Sequence, residues 1–448
     1  MSASVWTGLG VFGIAAWVWT AALAAVQPAA PARDRYVAIV SLDGFAAYVF
    51  ADPTLAIPNL RRLAREGVAA RGMQPVNPTV TWPNHTSMVT GVTPAEHTVL
   101  YNGQAVRGGE GQPLRVEPHV VRSELVKGQT LYDAAHAAGL TTAEVDWVAI
   151  EQASGITWSF AEWVKHDGPV EREMVAAGVA TADELKAFEK APITFRDEIW
   201  TRAAEHIVTA HKPNLLLFHL LTTDSVQHSY GSDGLAAKTA LSLADARVGR
   251  LVDAYRRAGI LDKTTFVIVS DHGFRTYKKS LRPNALLKQR GLSDSAWVIP
   301  EGGTAMVYVT RAAGKAETVA KLQELFTGSE GVAQVLTPAA FAEFGYPEPL
   351  ANPRMADLVL AASEGYAFAG TADGEPVVDV PAGSTPGSHG FLDRDPQMRA
   401  IFIASGAGIV RGQALESVRN LDVAPTVARL LGLQLPSAKG RVLTEILR

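Results

Sequence analysis

Three short apolar runs, each followed closely by acidic or histidine residues, constrain the fold more than any other feature of this chain. They are residues 36–42 (YVAIVSL), 213–221 (PNLLLFHLL) and 264–270 (TTFVIVS). Runs of this length without polar alternation predict strands that are covered on both faces. Helical patterns separate them along the chain. This alternation predicts an α/β fold with a doubly wound, mainly parallel sheet and helices on both faces.

Other segments extend the same pattern. Apolar periodicity and turn residues predict helices at 57–66, 83–90, 130–138, 182–190, 197–209, 235–258 and 423–431. Shorter apolar runs predict strands at 68–73, 142–146 and 399–405. Together these segments predict a catalytic domain made of residues 36–280 and 387–448.

Residues 281–386 interrupt the alternation. This stretch is rich in Gly and Pro and has its own predicted strand, 304–309, and its own predicted helix, 316–325. We expect an inserted cap over the active site, because the stretch lies between two histidines that are candidate ligands. The alternative is a surface excursion without a catalytic role.

The N-terminal segment has no charged residue from position 5 to position 26. Residues 1–26 therefore predict a cleaved signal peptide or, as the alternative, an uncleaved membrane anchor, and residues 27–35 a Pro/Ala-rich linker. The first case predicts a periplasmic or secreted protein, and the second a membrane-anchored one. Either way the catalytic domain would lie outside the cytoplasm, with membrane contact only if the segment is retained.

Composition narrows the chemistry. The chain has no Cys, which excludes disulfides and thiolate metal sites, but its 11 His could serve zinc-like sites. The formal net charge of −4 gives no reason to expect a nucleic-acid partner. A small anionic substrate remains compatible with that charge, because a bound metal ion outweighs a weak global field.

Seven residues that could ligate metal lie in five short blocks, several of which follow the predicted strands. They are Asp43, Thr81, Asp224, His228, Asp271, His272 and His389. Ligands that follow parallel strands converge at one edge of an open sheet. A Thr hydroxyl is a poor nucleophile unless a metal or a base assists it. Two divalent metals and one hydroxyl nucleophile therefore suggest phosphoryl transfer.

The order and the residue sequence of these blocks resemble the motifs of the alkaline phosphatase superfamily, and within it those of the type I phosphodiesterase/nucleotide pyrophosphatase family. The segment PTVTWPNHTSMVTG resembles that family's nucleophile segment, and EHTVLYNGQ resembles the segment after it. The resemblance covers about residues 36–433 and ends in RNLDVAPTVARLLGL. It implies an alkaline phosphatase-like fold.

The resemblance also implies the roles of the site residues. Thr81 would be the nucleophile and Asn102 would help to hold a phosphoryl oxygen, with Trp82 a candidate for stacking on the substrate. The metal ligands would form two zinc sites, one from Asp224, His228 and His389, the other from Asp43, Asp271, His272 and the Thr81 oxygen. The implied reaction is hydrolysis of nucleotides or other small phosphodiesters through a covalent phosphothreonine intermediate.

Two observations bear on the substrate, and the first is a departure from the family pattern. Members that cleave nucleotides often carry a Tyr that packs on the base five residues before the first Asp of the Asp-x-x-x-His pair, and His219 holds that place here. A phosphomonoesterase or phosphonate hydrolase of the same superfamily is the alternative. A monoesterase usually adds a basic residue, and no Lys or Arg lies within nine residues of Thr81. Lys278, Lys279 and Arg282 remain candidates.

Two further classes are disfavoured by the sequence. Sulfatases carry a Cys- or Ser-x-Pro-x-Arg segment, which the chain lacks at Thr81. A non-catalytic secreted binding protein on a decayed scaffold would not be expected to keep a full ligand set together with a nucleophile. Manganese and iron remain alternatives to zinc, because mixed His and Asp ligands accept several divalent metals.

Overall fold

The structure is a computed structural model that describes residues 1–5, 8, 31–163 and 166–448. The predicted signal peptide or anchor and the first part of the linker therefore lie mostly outside the described residues. Within the described part of the chain, no helix combines the length and the apolarity that a membrane span needs.

The strands of the described residues are β1 Tyr36–Leu42, β2 Val68–Ala70, β3 Met73–Gln74, β4 Gln104–Val106, β5 Arg115–Glu117, β6 Thr142–Val145, β7 Trp158–Phe160, β8 Leu215–Leu220, β9 Thr264–Val269, β10 Arg275–Thr276, β11 Lys279–Leu281, β12 Ala296–Pro300, β13 Thr304–Val309, β14 Val332–Leu336, β15 Leu358–Ala362, β16 Tyr366–Phe368, β17 Val377–Asp379, β18 Gly387–Ser388, β19 Phe402–Gly406, β20 Gln413–Leu415 and β21 Val418–Arg419.

The α-helices of the described residues are α1 Ala47–Phe50, α2 Pro58–Glu66, α3 Thr81–Thr90, α4 Pro94–His97, α5 Arg122–Leu125, α6 Leu131–Ala137, α7 Pro169–Ala176, α8 Ala182–Ala187, α9 Ile193–His211, α10 Thr222–Tyr230, α11 Leu235–Arg257, α12 Pro283–Gln289, α13 Lys315–Thr327, α14 Pro338–Phe341 and α15 Val423–Leu430.

Eight strands form the central sheet, in the order β20-β2-β19-β9-β1-β8-β6-β7. Strand β1 lies in its middle and pairs in parallel with β8 and β9. The pairs β8–β6 and β6–β7 are also parallel. Strand β19 runs antiparallel to both of its neighbours, β9 and β2. The predicted mainly parallel sheet is confirmed.

Helices cover both faces of this sheet, as a doubly wound fold requires. On β1, the side chains of Ala38, Val40 and Leu42 pack into a core that also contains residues of α9 and α11. The alternate residues Val37 and Ile39 pack into a second core, with residues of α3, α6 and α15. Because both faces of β1 are buried, its sequence is uniformly apolar rather than alternating.

A second, antiparallel sheet has the order β12-β13-β15-β14 and lies within residues 296–362. It contains the predicted strand 304–309 as β13, and the predicted helix 316–325 is α13. The hydroxyls of Tyr101 and Tyr308 lie 2.5 Å apart and join this sheet to the loop that carries Asn102. The inserted-cap boundaries, 281 and 386, stay a prediction.

Some predicted elements differ in their limits. The predicted strand 68–73 is two short strands, of which only β2 belongs to the central sheet. The predicted strand 399–405 begins at Phe402, because Ala400 instead forms isolated bridges to Ala46 and Met73. Helix α9 is longer than predicted at both ends, since it begins directly after Pro192 and ends before Lys212, whose φ is 48°.

Candidate active site

The three central strands deliver candidate ligands to the same edge of the sheet. Asp43 follows β1, and Asp271 and His272 follow β9. Asp224 lies in the first turn of α10, which begins shortly after the end of β8. Because these strands are parallel neighbours, their carboxyl ends lie side by side.

Asp43, Asp271 and His272 form the first cluster, and all three are completely buried. His272 Nε2 lies 3.1 Å from Asp271 Oδ2 and 3.5 Å from Asp43 Oδ1. The other oxygen of Asp271 accepts a hydrogen bond from the Gly44 amide, 3.1 Å away. This hydrogen bond to Oδ1 orients the Asp271 carboxylate so that its Oδ2 faces His272.

Asp224, His228 and His389 form the second cluster. Asp224 and His228 are one helical turn apart on α10, and Asp224 Oδ2 lies 3.4 Å from His228 Nε2. Asp224 Oδ1 lies 3.6 Å from His389 Nε2. The two clusters adjoin, because the rings of His272 and His389 stack with their centroids 3.9 Å apart.

The loop of His389 is fixed by close backbone packing. The Gly303 amide donates to His389 O at 2.8 Å, and the Gly390 amide donates to Thr79 O at 3.0 Å. Gly390 has φ +79°, and a Cβ there would lie 1.5 Å from Glu301 O. Only glycine fits at this position, so the backbone geometry requires the Gly that follows His389.

The donor atoms of both clusters fit divalent metal ions. Four buried atoms have no hydrogen-bond partner among the described residues, namely Asp43 Oδ1, Asp224 Oδ1, Asp271 Oδ2 and His272 Nε2. The Nδ1 atoms of His228, His272 and His389 contact the carbonyl oxygens of Gly387, Gly273 and Thr79 at 3.0–3.2 Å. These contacts select the tautomer whose Nε2 is free to ligate a metal. A buried polar atom without a hydrogen-bond partner destabilises the folded state, and coordination to a cation would supply the missing interaction.

Protonation in the clusters reflects the crowding of buried carboxylates. Burial, together with the charges of Asp271 and Asp224, raises the pKa of Asp43 well above its ordinary value. Burial opposes the charged form of His272, but the charge of Asp271 overrides it and raises its pKa to about 9. Carboxylates held this close need positive charge between them, which protons or metal ions can supply.

Thr81 is the first residue of α3 and is buried. Its carbonyl oxygen lies 2.9 Å from His85 Nδ1, and that nitrogen lies 3.7 Å from Asp271 Oδ2. Thr79, two residues earlier, holds His389. The start of α3 therefore lies next to both clusters, with His85 beside Asp271 and Thr79 in contact with His389.

The first turn of α3 leaves one amide for an anion. Val80 N donates to Pro78 O, Trp82 N donates to Asn102 Oδ1 at 2.9 Å, and Pro83 has no N–H. Within the described residues, the amide of Thr81 keeps no such partner. Free amides at a helix N-terminus favour negative charge.

Asn102 is exposed and its side chain is oriented by α3. Because its Oδ1 accepts the hydrogen bond from Trp82 N, its two amide hydrogens remain available for donation. The structure therefore presents two neighbouring hydrogen-bond donors at the start of α3, the Thr81 amide and the Asn102 side chain.

His219 supports the first cluster, a contact that sequence reasoning missed. It is buried on β8, with Nε2 3.0 Å from Asp43 Oδ2 and Nδ1 3.2 Å from Asp146 Oδ2. Burial opposes its charged form, but the hydrogen bonds to Asp146 and Asp43 raise the pKa of His219 well above its ordinary value. The one signal in the sequence was a histidine within an otherwise apolar strand. His219 is thus enclosed beneath the site, where it cannot stack on a base.

We expect His219→Gln to weaken metal retention and turnover by about 10- to 100-fold, because residues that orient a ligand typically contribute that much. The measurement is metal content after dialysis against graded chelator, together with kcat. The exposed His136 on α6 supplies the matched control, His136→Gln. Unchanged metal retention in His219→Gln would show that Asp43 does not depend on this contact.

A cavity of about 330 Å³ adjoins the first turn of α3. Trp82, Trp147 and Trp163 lie in its wall, together with His119 and Glu162. Two aromatic residues near Trp163 in the sequence, Trp158 and Phe160, do not line this cavity. Trp158 stacks on His211, and Phe160 is buried in the core. The cavity gives Trp82 a face that a substrate group could contact.

Comparison with known proteins gives consistent matches over most of the chain. The family model described as type I phosphodiesterase/nucleotide pyrophosphatase matches residues 37–396. Rat ectonucleotide pyrophosphatase/phosphodiesterase family member 7 is 25% identical over 422 residues, covering 90% of this chain and 84% of the relative. An uncharacterized pyrophosphatase/phosphodiesterase of Schizosaccharomyces pombe is 22% identical over 414 residues, covering 89% of this chain and 77% of the relative.

Solved structures match as well. Murine ectonucleotide pyrophosphatase/phosphodiesterase 5 superposes with a TM-score of 0.71 at 18% identity, covering 92% of this chain and all (100%) of that chain. At this identity the likeness concerns the fold, and it confirms the predicted fold class.

Proposed function

Since the chain belongs to the type I phosphodiesterase/nucleotide pyrophosphatase family and is a hydrolase of phosphoric ester bonds, we propose that it cleaves nucleotides or other small phosphodiesters through a phosphothreonine at Thr81. The observation that carries this proposal is the pair of adjoining ligand clusters beside the N-terminus of α3. Each cluster supplies three donor residues, and together they leave four buried donor atoms without a protein partner among the described residues.

We assign two zinc ions to these clusters, because mixed Asp and His ligands suit zinc. Asp43, Asp271 and His272 would hold one ion, with the Thr81 hydroxyl completing the set. Asp224, His228 and His389 would hold the other. When bound, the two ions would neutralise charge on the phosphoryl oxygens and favour the ionised forms of the Thr81 hydroxyl and of water.

The proposed reaction consists of two in-line displacements at phosphorus. In the first, Oγ1 of Thr81 bonds to phosphorus, the bond from phosphorus to the leaving oxygen breaks, and the departing alcohol or nucleotide group takes up the proton that the Thr81 hydroxyl loses. In the second, the oxygen of water bonds to phosphorus, the bond between phosphorus and Oγ1 breaks, and Oγ1 takes up the proton that water loses. The Thr81 amide and the Asn102 side chain would donate hydrogen bonds to a non-bridging oxygen throughout.

Two of the three candidate basic residues, Lys279 and Arg282, have contacts that support a diester substrate. A phosphate monoester carries one more negative charge, which usually requires an extra cation near the nucleophile. Of the candidates, Lys279 Nζ is 2.9 Å from Glu330 Oε1, and Arg282 lines a different cavity, of about 560 Å³, with residues of α13. Within the described residues, the contacts of both side chains are with residues outside the ligand clusters.

We place the enzyme outside the cytoplasm, secreted or periplasmic, or membrane-anchored if the N-terminal segment is retained. The uncharged segment 5–26 supports this, as do the relatives named as ectonucleotide enzymes. The partner is a small phosphoester, and Trp82 is the residue we assign to contact its base or other aromatic group.

Three substrates tested side by side discriminate the proposal from its alternative. They are bis-p-nitrophenyl phosphate, p-nitrophenyl thymidine monophosphate and p-nitrophenyl phosphate, each with and without chelator. We expect hydrolysis of the diesters that chelator abolishes and zinc restores. A preference for the thymidine ester would support nucleotides as substrates. A preference for the monoester would overturn the diester assignment, and activity insensitive to chelator would overturn the metal assignment.

A further inference from the structure

A second kind of histidine cluster lies at the opposite end of the sheet from the ligand clusters. It consists of Glu173 on α7 and of His206 and His211 on α9. Helix α9 ends at His211, and β8 begins only at Leu215. The cluster thus lies before the amino end of β8, whereas the candidate active site lies beyond its carboxyl end. The two places share no residue.

The three side chains converge on one carboxylate oxygen. Oε2 of Glu173 lies 2.6 Å from His211 Nε2 and 3.3 Å from His206 Nε2. The hydrogen bond from His211 is the main cause that lowers the pKa of Glu173. By geometry, the cluster presents one carboxylate oxygen and two imidazole nitrogens to a common point.

Neighbouring residues hold this arrangement in place and leave it accessible. Trp158 on β7 stacks on His211 with ring centroids 4.5 Å apart and an interplanar angle of 17°. The side chains of His206 and His211 are only 11% and 20% exposed, whereas that of Glu173 is 42% exposed. The two rings are thus largely enclosed, and the carboxylate faces solvent, from which an ion could enter.

We propose that Glu173, His206 and His211 form a third zinc site, with its remaining coordination position open to water. Two His and one Glu are an established donor set for zinc. Zinc–ligand bonds of about 2.0–2.2 Å place two ligand atoms of a tetrahedral ion roughly 3.3–3.6 Å apart. The separation of 3.3 Å between Glu173 and His206 meets this value. The hydrogen bond between Glu173 and His211 would open slightly as zinc replaces its proton.

A zinc ion here would join α7 to the last turn of α9. That turn leads through Lys212, which has φ 48°, and Pro213 into β8. Binding to the folded state alone would stabilise the protein by mass action. The bound ion would therefore stabilise the folded chain, with water in the fourth coordination position.

Zinc binding by the full chain tests the site. The variant is His206→Asn combined with His211→Asn, and the matched control is His136→Gln, which changes an exposed histidine on α6. After equilibrium dialysis at graded free zinc, we expect the double variant to bind one zinc ion fewer per chain than the wild type and the control. We also expect zinc to raise the melting temperature of the wild type more than that of the variant.

The test compares the zinc bound per chain by the variant with that bound by the wild type. The outcome therefore does not depend on how many ions the candidate active-site clusters bind. A second variant, Glu173→Gln, keeps the shape of the side chain and should also lose the ion. Turnover should be unchanged in both variants when zinc is in excess. Equal zinc content in wild type, double variant and Glu173→Gln would overturn the proposal and leave a hydrogen-bonded surface cluster.

Discussion

Thr81→Ala is expected to lower kcat by about 10³-fold or more while leaving the fold and the metal content nearly unchanged. The hydroxyl oxygen of Thr81 is the atom that would bond to phosphorus, and removal of a nucleophile typically lowers kcat by at least about 10³-fold. The substitution removes little packing, because Thr to Ala deletes two heavy atoms, the hydroxyl oxygen and one methyl carbon. The measurements are kcat on a phosphodiester, zinc content and the melting temperature.

Thr81→Ser supplies the matched control, because serine keeps the hydroxyl at the start of α3. We expect it to retain far more activity than the alanine variant. Near-normal turnover by Thr81→Ala would contradict the assignment of Thr81 as the nucleophile. Loss of activity together with a collapse of the melting temperature would instead place Thr81 among the structural residues.

Asp43→Asn and Asp224→Asn are each expected to remove one zinc ion per chain and to lower turnover by about 10³-fold. Asp43 is fully buried in the first cluster and Asp224 is buried in the second, so each change should empty its own site. A neutral amide lacks the charge that attracts the ion and presents a donor hydrogen to it. The measurement is zinc content by elemental analysis, alongside kcat.

The exposed Asp262 gives the control Asp262→Asn, which should change neither quantity. The two cluster variants distinguish two separate sites from one shared site. If either variant keeps its full zinc content, that residue is not a ligand. If either variant loses both ions, the clusters bind metal cooperatively rather than as two independent sets.

The central sheet was predictable because its strands carry their own signal. Strand β1 has the predicted limits, since every residue from Val37 to Leu42 is buried and the run is apolar except for Ser41. Acidic and histidine residues directly after such parallel strands must lie at one edge of the sheet. The residue pattern therefore groups the candidates that follow β1, β8 and β9, whereas His389 follows no strand of the central sheet and was grouped with them by the family resemblance.

Contacts that depend on packing were not predictable. The hydrogen bond between His219 Nδ1 on β8 and the carbonyl oxygen of Asp146, which directly follows the neighbouring strand β6, joins residues 73 positions apart, and nothing local in the sequence marks it. The same holds for Asn102 and Trp82, which meet because a loop folds back on α3. In the second sheet only β13 was predicted. Strand β14 is half exposed and has a register irregularity, so its sequence lacks a clear apolar pattern.

The most direct test of the phosphothreonine pathway is the stereochemical course at phosphorus. A phosphorothioate diester of one known configuration would be hydrolysed in water enriched in oxygen-18, and the configuration of the product determined. Each in-line displacement inverts phosphorus, so attack by Thr81 followed by attack of water predicts net retention. Net inversion would mean that water attacks the diester directly, and it would contradict a covalent intermediate at Thr81.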